Sequence, residues 1–393
     1  MVNGERIERM RREMESARLD ALVLRLPENV LLLSGYWPMT GTAVLVFPRE
    51  SEPVLIVPAC FEAEARDMLW EARPAVYRYG LLDSPDPAVA VTDLFRECAA
   101  GKNWKRIGYE GSVDAMAPSW QSAEVLLPTE RWPGSYRDAV PGCELVDASA
   151  MIRAEKQIKT EWEIGRLRIV AEISAMGLEI FERSVAPGIS GVELVALVER
   201  EIMVRGTGHK GVRRVRGYAQ VATGATETAI AYRMHEIFSR RPMAEGDIAV
   251  LELGVVADGF WADRTRVRVA GAATDEQYRV FETVHRAQAA AVAAVRPGIS
   301  GGEVDEIARS VVRDAGYADS FPHITGHGLG FGYHEPAPKL APGSPDVLVD
   351  GMVTSVEPGI YFAGMGGMRI EDDVVVTRDG AETLGPFRNQ LCA

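Results

Sequence analysis

The chain has 393 residues, 47% of them apolar and 25% charged, close to the averages of folded globular proteins, which excludes a disordered, collagen-like or coiled-coil protein. Its 43 Lys and Arg stand against 56 Asp and Glu, a formal net charge of −13, and an acidic surface repels phosphate backbones, so no nucleic-acid partner is expected. At roughly 100–200 residues per domain, this length predicts two or three domains.

In chain order, a charged helix is predicted near residues 5–17, with no apolar core of signal-peptide type. Apolar runs follow at Ala21–Leu24, Val30–Leu33, Ala43–Phe47 and Val54–Val57, then a helix near 60–70, a strand at Arg106–Tyr109 and one near Leu145–Val146. This alternation reads as α/β. Nothing in it gathers His, Asp and Glu, so residues 1–148 are expected to form a scaffold or partner domain. The four cysteines, Cys60, Cys98, Cys143 and Cys392, have neither metal-like nor disulfide-like spacing, and no later run approaches about 18 uninterrupted apolar residues. A soluble cytoplasmic chain with no membrane partner is expected.

The charged stretch Arg153–Lys159 leads into Thr160-Glu161-Trp162-Glu163, a capping box that predicts the start of a long helix. The junction is set at about 147–152, with a second domain over 149–393. This domain contains a repeat: Ala186-Pro187-Gly188-Ile189-Ser190-Gly191-Val192-Glu193 returns as Arg296-Pro297-Gly298-Ile299-Ser300-Gly301-Gly302-Glu303, offset by 110 residues. Each copy reads helix, Pro-Gly turn, helix, with Ser190 and Glu193, or Ser300 and Glu303, boxing the second helix. A duplicated α/β half is expected, with a ligand crevice between the copies. Glu193 and Glu303 are therefore caps.

Chemistry gathers after the first copy. Ile248–Val255, Asp258-Gly259 and Phe260–Arg266 read as a hairpin, on which Glu252 and Asp263 point from one face toward one point. Thr325-Gly326-His327-Gly328-Leu329-Gly330-Phe331-Gly332-Tyr333-His334-Glu335-Pro336 is glycine-rich, but Pro336 and Pro338 forbid the helix a phosphate loop needs. Glu357 and Glu371 stand in strand-like apolar runs, where buried carboxylates need partners. Singly, each of these residues fits a structural role. Together, Glu252, Asp263, His327, Glu357 and Glu371 make a hard, oxygen-rich ligand set suited to Mn²⁺ and workable for Co²⁺, Fe²⁺ or Zn²⁺, with enough donors for two ions sharing carboxylates. Two ions about 3.5–4 Å apart can hold a hydroxide and polarise a carbonyl, which is machinery for amide hydrolysis.

These motifs, over about residues 150–380, resemble the pita-bread metallohydrolases: Xaa-Pro dipeptidase, aminopeptidase P, methionine aminopeptidase and the non-peptidase creatinase. The first domain resembles the creatinase/prolidase amino-terminal domain. The resemblance implies two pseudo-symmetric α/β halves around a two-metal centre ligated by Glu252, Asp263, His327, Glu357 and Glu371, with Asp263 and Glu371 bridging. It also implies His235 and His334 as active-site histidines, Arg369 and Thr265 as supports of the site, a small peptide substrate, and a homodimer. The activity implied is hydrolysis of the bond before proline by a metal-bridging hydroxide, with His235 or His334 stabilising the oxyanion and Glu357 passing a proton to the leaving nitrogen. His209, His285 and His323 are left as structural or exposed.

Two departures keep other readings open. The family normally carries aspartate where this chain has Glu252, and one extra methylene moves the carboxylate by about 1.5 Å where ligand distances tolerate about ±0.2 Å. One metal position is then weakened, or the glutamate serves a non-peptidase C–N hydrolase of creatinase or ectoine-hydrolase type. Between the second histidine and Glu357 only Lys339 offers a cation for a substrate carboxylate, with Arg213, Arg214 and Arg216 elsewhere, so the choice between dipeptidase and aminopeptidase stays open. A catalytically silent peptide-binding scaffold is the third reading.

Overall fold

The computed structural model describes residues 3–38, 41–80, 84–112, 131–233, 239–385 and 390–392. Two compact units divide the chain, with the boundary between Lys156 and Gln157.

The first unit runs α1 (Gly4–Ser16), β1 (Ala21–Leu24), α2 (Pro27–Ser34), β2 (Val44–Pro48), β3 (Val54–Pro58), α3 (Glu62–Met68), β4 (Arg73–Tyr77), α4 (Pro87–Ala99), β5 (Arg106–Tyr109), α5 (Arg131–Ala139), β6 (Glu144–Asp147) and α6 (Ser149–Gln157). The strands form one mixed sheet in the order β4-β3-β2-β1-β5-β6. Val23, Val44, Val46, Ile56 and Ile107 from this sheet pack with Val91 and Phe95 of α4 and Tyr136 of α5. The apolar run Val30–Leu33 belongs to the helix α2: Pro27 opens it and Gly35, left-handed at φ 76°, closes it. Glu110 reinforces that start, because its carboxylate accepts the backbone N–H groups of Arg25 and Leu26 and the Asn29 side chain at 2.7–3.1 Å.

The second unit continues with α7 (Glu161–Ser184), α8 (Gly191–Gly206), β7 (Val215–Thr223), α9 (Gly224–Thr228), β8 (Ile248–Ala257), β9 (Phe260–Val269), α10 (Asp275–Ala294), α11 (Gly301–Asp314), β10 (Gly326–Gly328), β11 (Glu335–Leu340), β12 (Val353–Val356), β13 (Gly359–Phe362), β14 (Gly366–Arg369), β15 (Asp372–Thr377) and β16 (Gly380–Thr383). Its sheets are β7-β8-β9, β11-β10-β12-β15-β16 and the pair β13-β14. The helices α7 and α8 pack on the first of these, α10 and α11 on the second.

The repeat seen in the sequence is a repeat of structure. Both capping boxes form, Ser190 with Glu193 and Ser300 with Glu303. Gly188 and Gly298 take φ of 98° and 89° in the turns before them, a conformation that favours glycine. Gly188 N–H donates to Met243 O and Gly298 N–H to Leu348 O, and Ser190 bridges Pro242 as Ser300 bridges Val347. Each copy thus ties its helix pair to an extended segment of its own half. The Thr160 capping box opens α7 as its sequence requires.

Candidate metal centre

The hairpin β8–β9 turns through Asp258 and Gly259, both at positive φ (48° and 90°), the geometry of a two-residue type I′ turn. Its register sets Glu252 opposite Thr265 and Gly254 opposite Asp263. Glu252 and Asp263 are therefore diagonal rather than directly opposed, and with Thr265 they share one face. The remaining carboxylates stand at strand ends: Glu357 just after β12, Glu371 between β14 and β15. His327 lies in the middle of β10.

These side chains converge. Three overlapping groups, Asp263 with His327 and His334, His327 with Glu357 and Glu371, and Glu252 with Asp263 and Glu371, each bring their donor atoms within 4.8 Å of one another. The His327 ring is oriented by its Nδ1, 3.0 Å from Gly328 O, which leaves Nε2 directed at Asp263 Oδ2 (3.5 Å) and Glu357 Oε1 (3.3 Å). His334 Nε2 is 3.9 Å from Asp263 Oδ2, and its ring centroid lies 4.4 Å from that of His327.

Charge in this cluster is unbalanced. Burial, then the neighbouring Glu252, pushes the Asp263 carboxyl well above the usual carboxylate range, and burial with Asp263 does the same to Glu371. Burial would lower His327, but Asp263 and Glu357 outweigh it and raise the imidazole well above its ordinary value. His334 goes the other way, to about 3, through burial and the adjacent His327. Both Asp263 oxygens and Glu371 Oε1 are buried without a hydrogen-bond partner. Buried anionic oxygens in that condition are what a divalent cation satisfies, so the donor set fits hard metal ions.

Arg369 and Thr265 knit the base of the site. Arg369 Nε donates to Thr265 Oγ1 (2.9 Å), Nη1 to Tyr361 OH (3.1 Å) and to Ala231 O (3.2 Å), and Nη2 to Glu252 Oε2. Burial would raise Glu252, but Arg369, with Thr265 and Tyr333 donating, holds it down to about 2. Behind Glu371, Asp372 accepts from Arg264 (2.5 Å), Arg266 (2.6 Å) and Gln288 (3.1 Å), while Asp373 accepts the N–H of Asp263 at 3.1 Å.

His235 lies outside the described residues. His209 pairs with Glu172 at 2.8 Å and His285 stacks on Phe281, and neither belongs to the three converging donor groups. His323 takes one of the two roles left open for it, that of a structural histidine. It is held 3.1 Å from Tyr361 OH, the same hydroxyl that Arg369 contacts, so it belongs to the network around the site. Tyr333, whose hydroxyl donates to Glu252 Oε1 at 2.8 Å, was also not singled out. The one available signal was its place directly before His334.

Comparison with known proteins identifies the class. Residues 165–378 match metallopeptidase family M24 and residues 6–157 match the creatinase/prolidase N-terminal domain. The chain belongs to metallopeptidase family M24, with a creatinase-type α/β domain ahead of a pita-bread catalytic domain. It is 30% identical over 388 residues, 98% of this chain and 99% of the other, to the Bacillus subtilis (strain 168) protein YkvY, provisionally named a dipeptidase. It is 27% identical over 387 residues to the Xaa-Pro dipeptidase of Pyrococcus furiosus, covering 98% and 99% of the two chains. The crystal structure of recombinant prolidase from Thermococcus sibiricus superposes with a TM-score of 0.80 at 27% identity, covering 100% and 99%. No helix among the described residues is long and apolar enough to cross a membrane.

Proposed function

We propose that this chain is a metal-dependent Xaa-Pro-type peptidase acting on small peptides, with Mn²⁺ as the preferred ion and a homodimer as the working unit. The observation that carries this reading is the set of buried, unpartnered oxygens on Asp263 and Glu371 facing His327 and Glu357. Divalent metal at such a set supplies Lewis acidity, which polarises a carbonyl oxygen and acidifies water. The protein contributes the rest. Asp263, His327, Glu357 and Glu371 hold the charge, and Thr265 and Arg369 fix the carboxylates from behind. His334, kept neutral by burial and by His327, offers one ring N–H to the oxygen that gains charge in the transition state. Glu357 takes a proton from the attacking water and returns it to the leaving nitrogen. His235 is assigned the second oxyanion donor.

Dipeptidase and non-peptidase readings separate on a substrate panel. Manganese-loaded protein is assayed on Xaa-Pro dipeptides, on longer peptides with proline second, and on creatine and ectoine. Cleavage before proline supports the peptidase. Turnover of only the small metabolites, favoured by the Glu252 replacement, would move the chain to C–N hydrolysis outside peptides. A Mn²⁺-loaded protein that turns over none of them would be a binding scaffold. Gel filtration with light scattering tests the dimer.

A further inference from the structure

The ligand carboxylates are not held alike. Asp263 has two oxygens without hydrogen-bond partners and Glu371 has one. Neither Glu252 oxygen lacks a partner: Tyr333 O–H donates to Oε1 at 2.8 Å, Thr265 Oγ1 stands 2.7 Å from Oε2, and Arg369 donates to that same Oε2. Two oxygens offer about four acceptor positions, and here three are taken, one by a full positive charge. The guanidinium already supplies the countercharge that an ion beside Glu252 would bring.

Tyr333 is built into place. Its ring stacks on Trp261 at 5.3 Å and 29°, and Trp261 stacks on Tyr218 at 5.6 Å and 21°. It lies over Gly254, where an added Cβ would come within 2.9 Å of the ring. The loop carrying it is pinned by Glu335, which accepts the N–H groups of Phe331 (2.8 Å) and Gly332 (3.2 Å) on one oxygen and buried Lys159 (2.7 Å) on the other.

We propose that Tyr333 is a positioning residue that pins the long Glu252 side chain against Arg369, so that the centre takes one divalent ion tightly, on Asp263, His327, Glu357 and Glu371, and a second only weakly. The inference rests on the metallohydrolase reading above. It makes the extra methylene at Glu252 part of a replacement: a carboxylate, a phenol and a guanidinium occupy the place of a second ion. The site keeps the hydrolytic ligands but gains a fixed ion pair beside them.

The test is a Mn²⁺ titration of the chelator-treated full chain by calorimetry, with bound metal counted after gel filtration and the electron paramagnetic resonance spectrum recorded. The wild type is expected to bind one ion per chain tightly, with the spectrum of isolated Mn²⁺. Tyr333→Phe is expected to tighten the second ion by about tenfold and leave the first unchanged, the size of effect usual for groups that orient a ligand. Glu252→Asp, retracted by about 1.5 Å from both Tyr333 and Arg369, is expected to take two ions and show an exchange-coupled pair. Gly254→Ala, which displaces the Tyr333 ring while keeping its hydroxyl, should act as Tyr333→Phe does. Two equally tight ions in the wild type, or a second affinity unmoved in both Tyr333→Phe and Gly254→Ala, would overturn the proposal and leave the metallohydrolase reading standing. No bound Mn²⁺ in any of these proteins would overturn that reading too.

Discussion

The hydroxyl of Thr265 stands 2.7 Å from Glu371 Oε2 and 2.7 Å from Glu252 Oε2, while accepting from Arg369 Nε at 2.9 Å. One hydroxyl has one proton to donate, so only one carboxylate can receive it and the other must carry a proton or turn to a cation. Burial and Asp263 push the Glu371 carboxyl up, which makes Glu371 the one that waits for the cation. Thr265→Val removes this arrangement without adding bulk. Mn²⁺ affinity should fall by about 10–100-fold, read by calorimetry, with far-ultraviolet circular dichroism unchanged.

Metal and stability should be linked through the same oxygens. Because the native state alone assembles the ligands, Mn²⁺ at about 100 times its dissociation constant should add about 2.7 kcal/mol to the unfolding free energy. Chelator should return the melting temperature to its metal-free value and abolish peptide hydrolysis. A melting temperature indifferent to Mn²⁺ would show that no ion binds the native site.

Asp263→Asn should split affinity from stability. Both Asp263 oxygens are buried without a hydrogen bond, with the His327 ring 3.5 Å from one of them, a condition that costs on the order of 1 kcal/mol or more. A neutral amide removes the cost of burying that carboxyl beside Glu252, a cost the metal-free wild type meets by holding a proton there. The metal-free variant should therefore resist urea better than the metal-free wild type, yet bind no Mn²⁺ and lose peptide hydrolysis. A destabilised metal-free variant would contradict this account.

Lys159 and Glu335 form a buried pair at 2.7 Å beneath the loop that carries Tyr333 and His334. Lys159→Met leaves a buried carboxylate without its countercharge, held only by two backbone N–H groups, and should cost about 3–5 kcal/mol, read as a shift of the urea midpoint. Lys159→Met with Glu335→Gln removes the stranded charge while keeping an acceptor for the two loop N–H groups. That double variant should recover part of the loss.

In the first unit, burial raises the Glu110 carboxyl to about 7 against the donors Asn29, Arg25 and Leu26. A folded-state value above the unfolded one means that the native state holds the proton more tightly between pH 4.5 and 7. Its contribution is therefore present below the lower value and lost as pH rises through the upper, by no more than about 1.4 kcal/mol per pH unit. Glu110→Gln should flatten the pH dependence of unfolding across that window, and an unchanged slope would remove Glu110 as its source.

Much of this was legible in the sequence because it rests on local spacing. The Asp258-Gly259 turn with alternating flanks fixes the β8–β9 hairpin and puts Glu252 and Asp263 on one face, and the repeated Pro-Gly and Ser-x-x-Glu signals fix the duplication. Local spacing also misleads where it is short. Val30–Leu33 carries four apolar residues, too few to separate a strand from a buried helical turn, and Pro27 decides it. Long-range partners leave no such trace. The Glu252–Arg369 contact joins positions 117 apart, and His323 reaches Arg369 only through Tyr361.

The duplication has a mechanical consequence. Glu252 and Asp263 come from the hairpin of the first repeat, whereas His327, Glu357 and Glu371 come from the strands of the second. A divalent ion held jointly by carboxylates of the two repeats, such as Asp263 and Glu371, would act as a removable crosslink between positions more than a hundred residues apart. Loop entropy grows only slowly with such length, so the latch costs little more than a short one. Opening the two repeats and releasing such an ion would then be one event, so the free metal concentration would set how firmly the two repeats hold together.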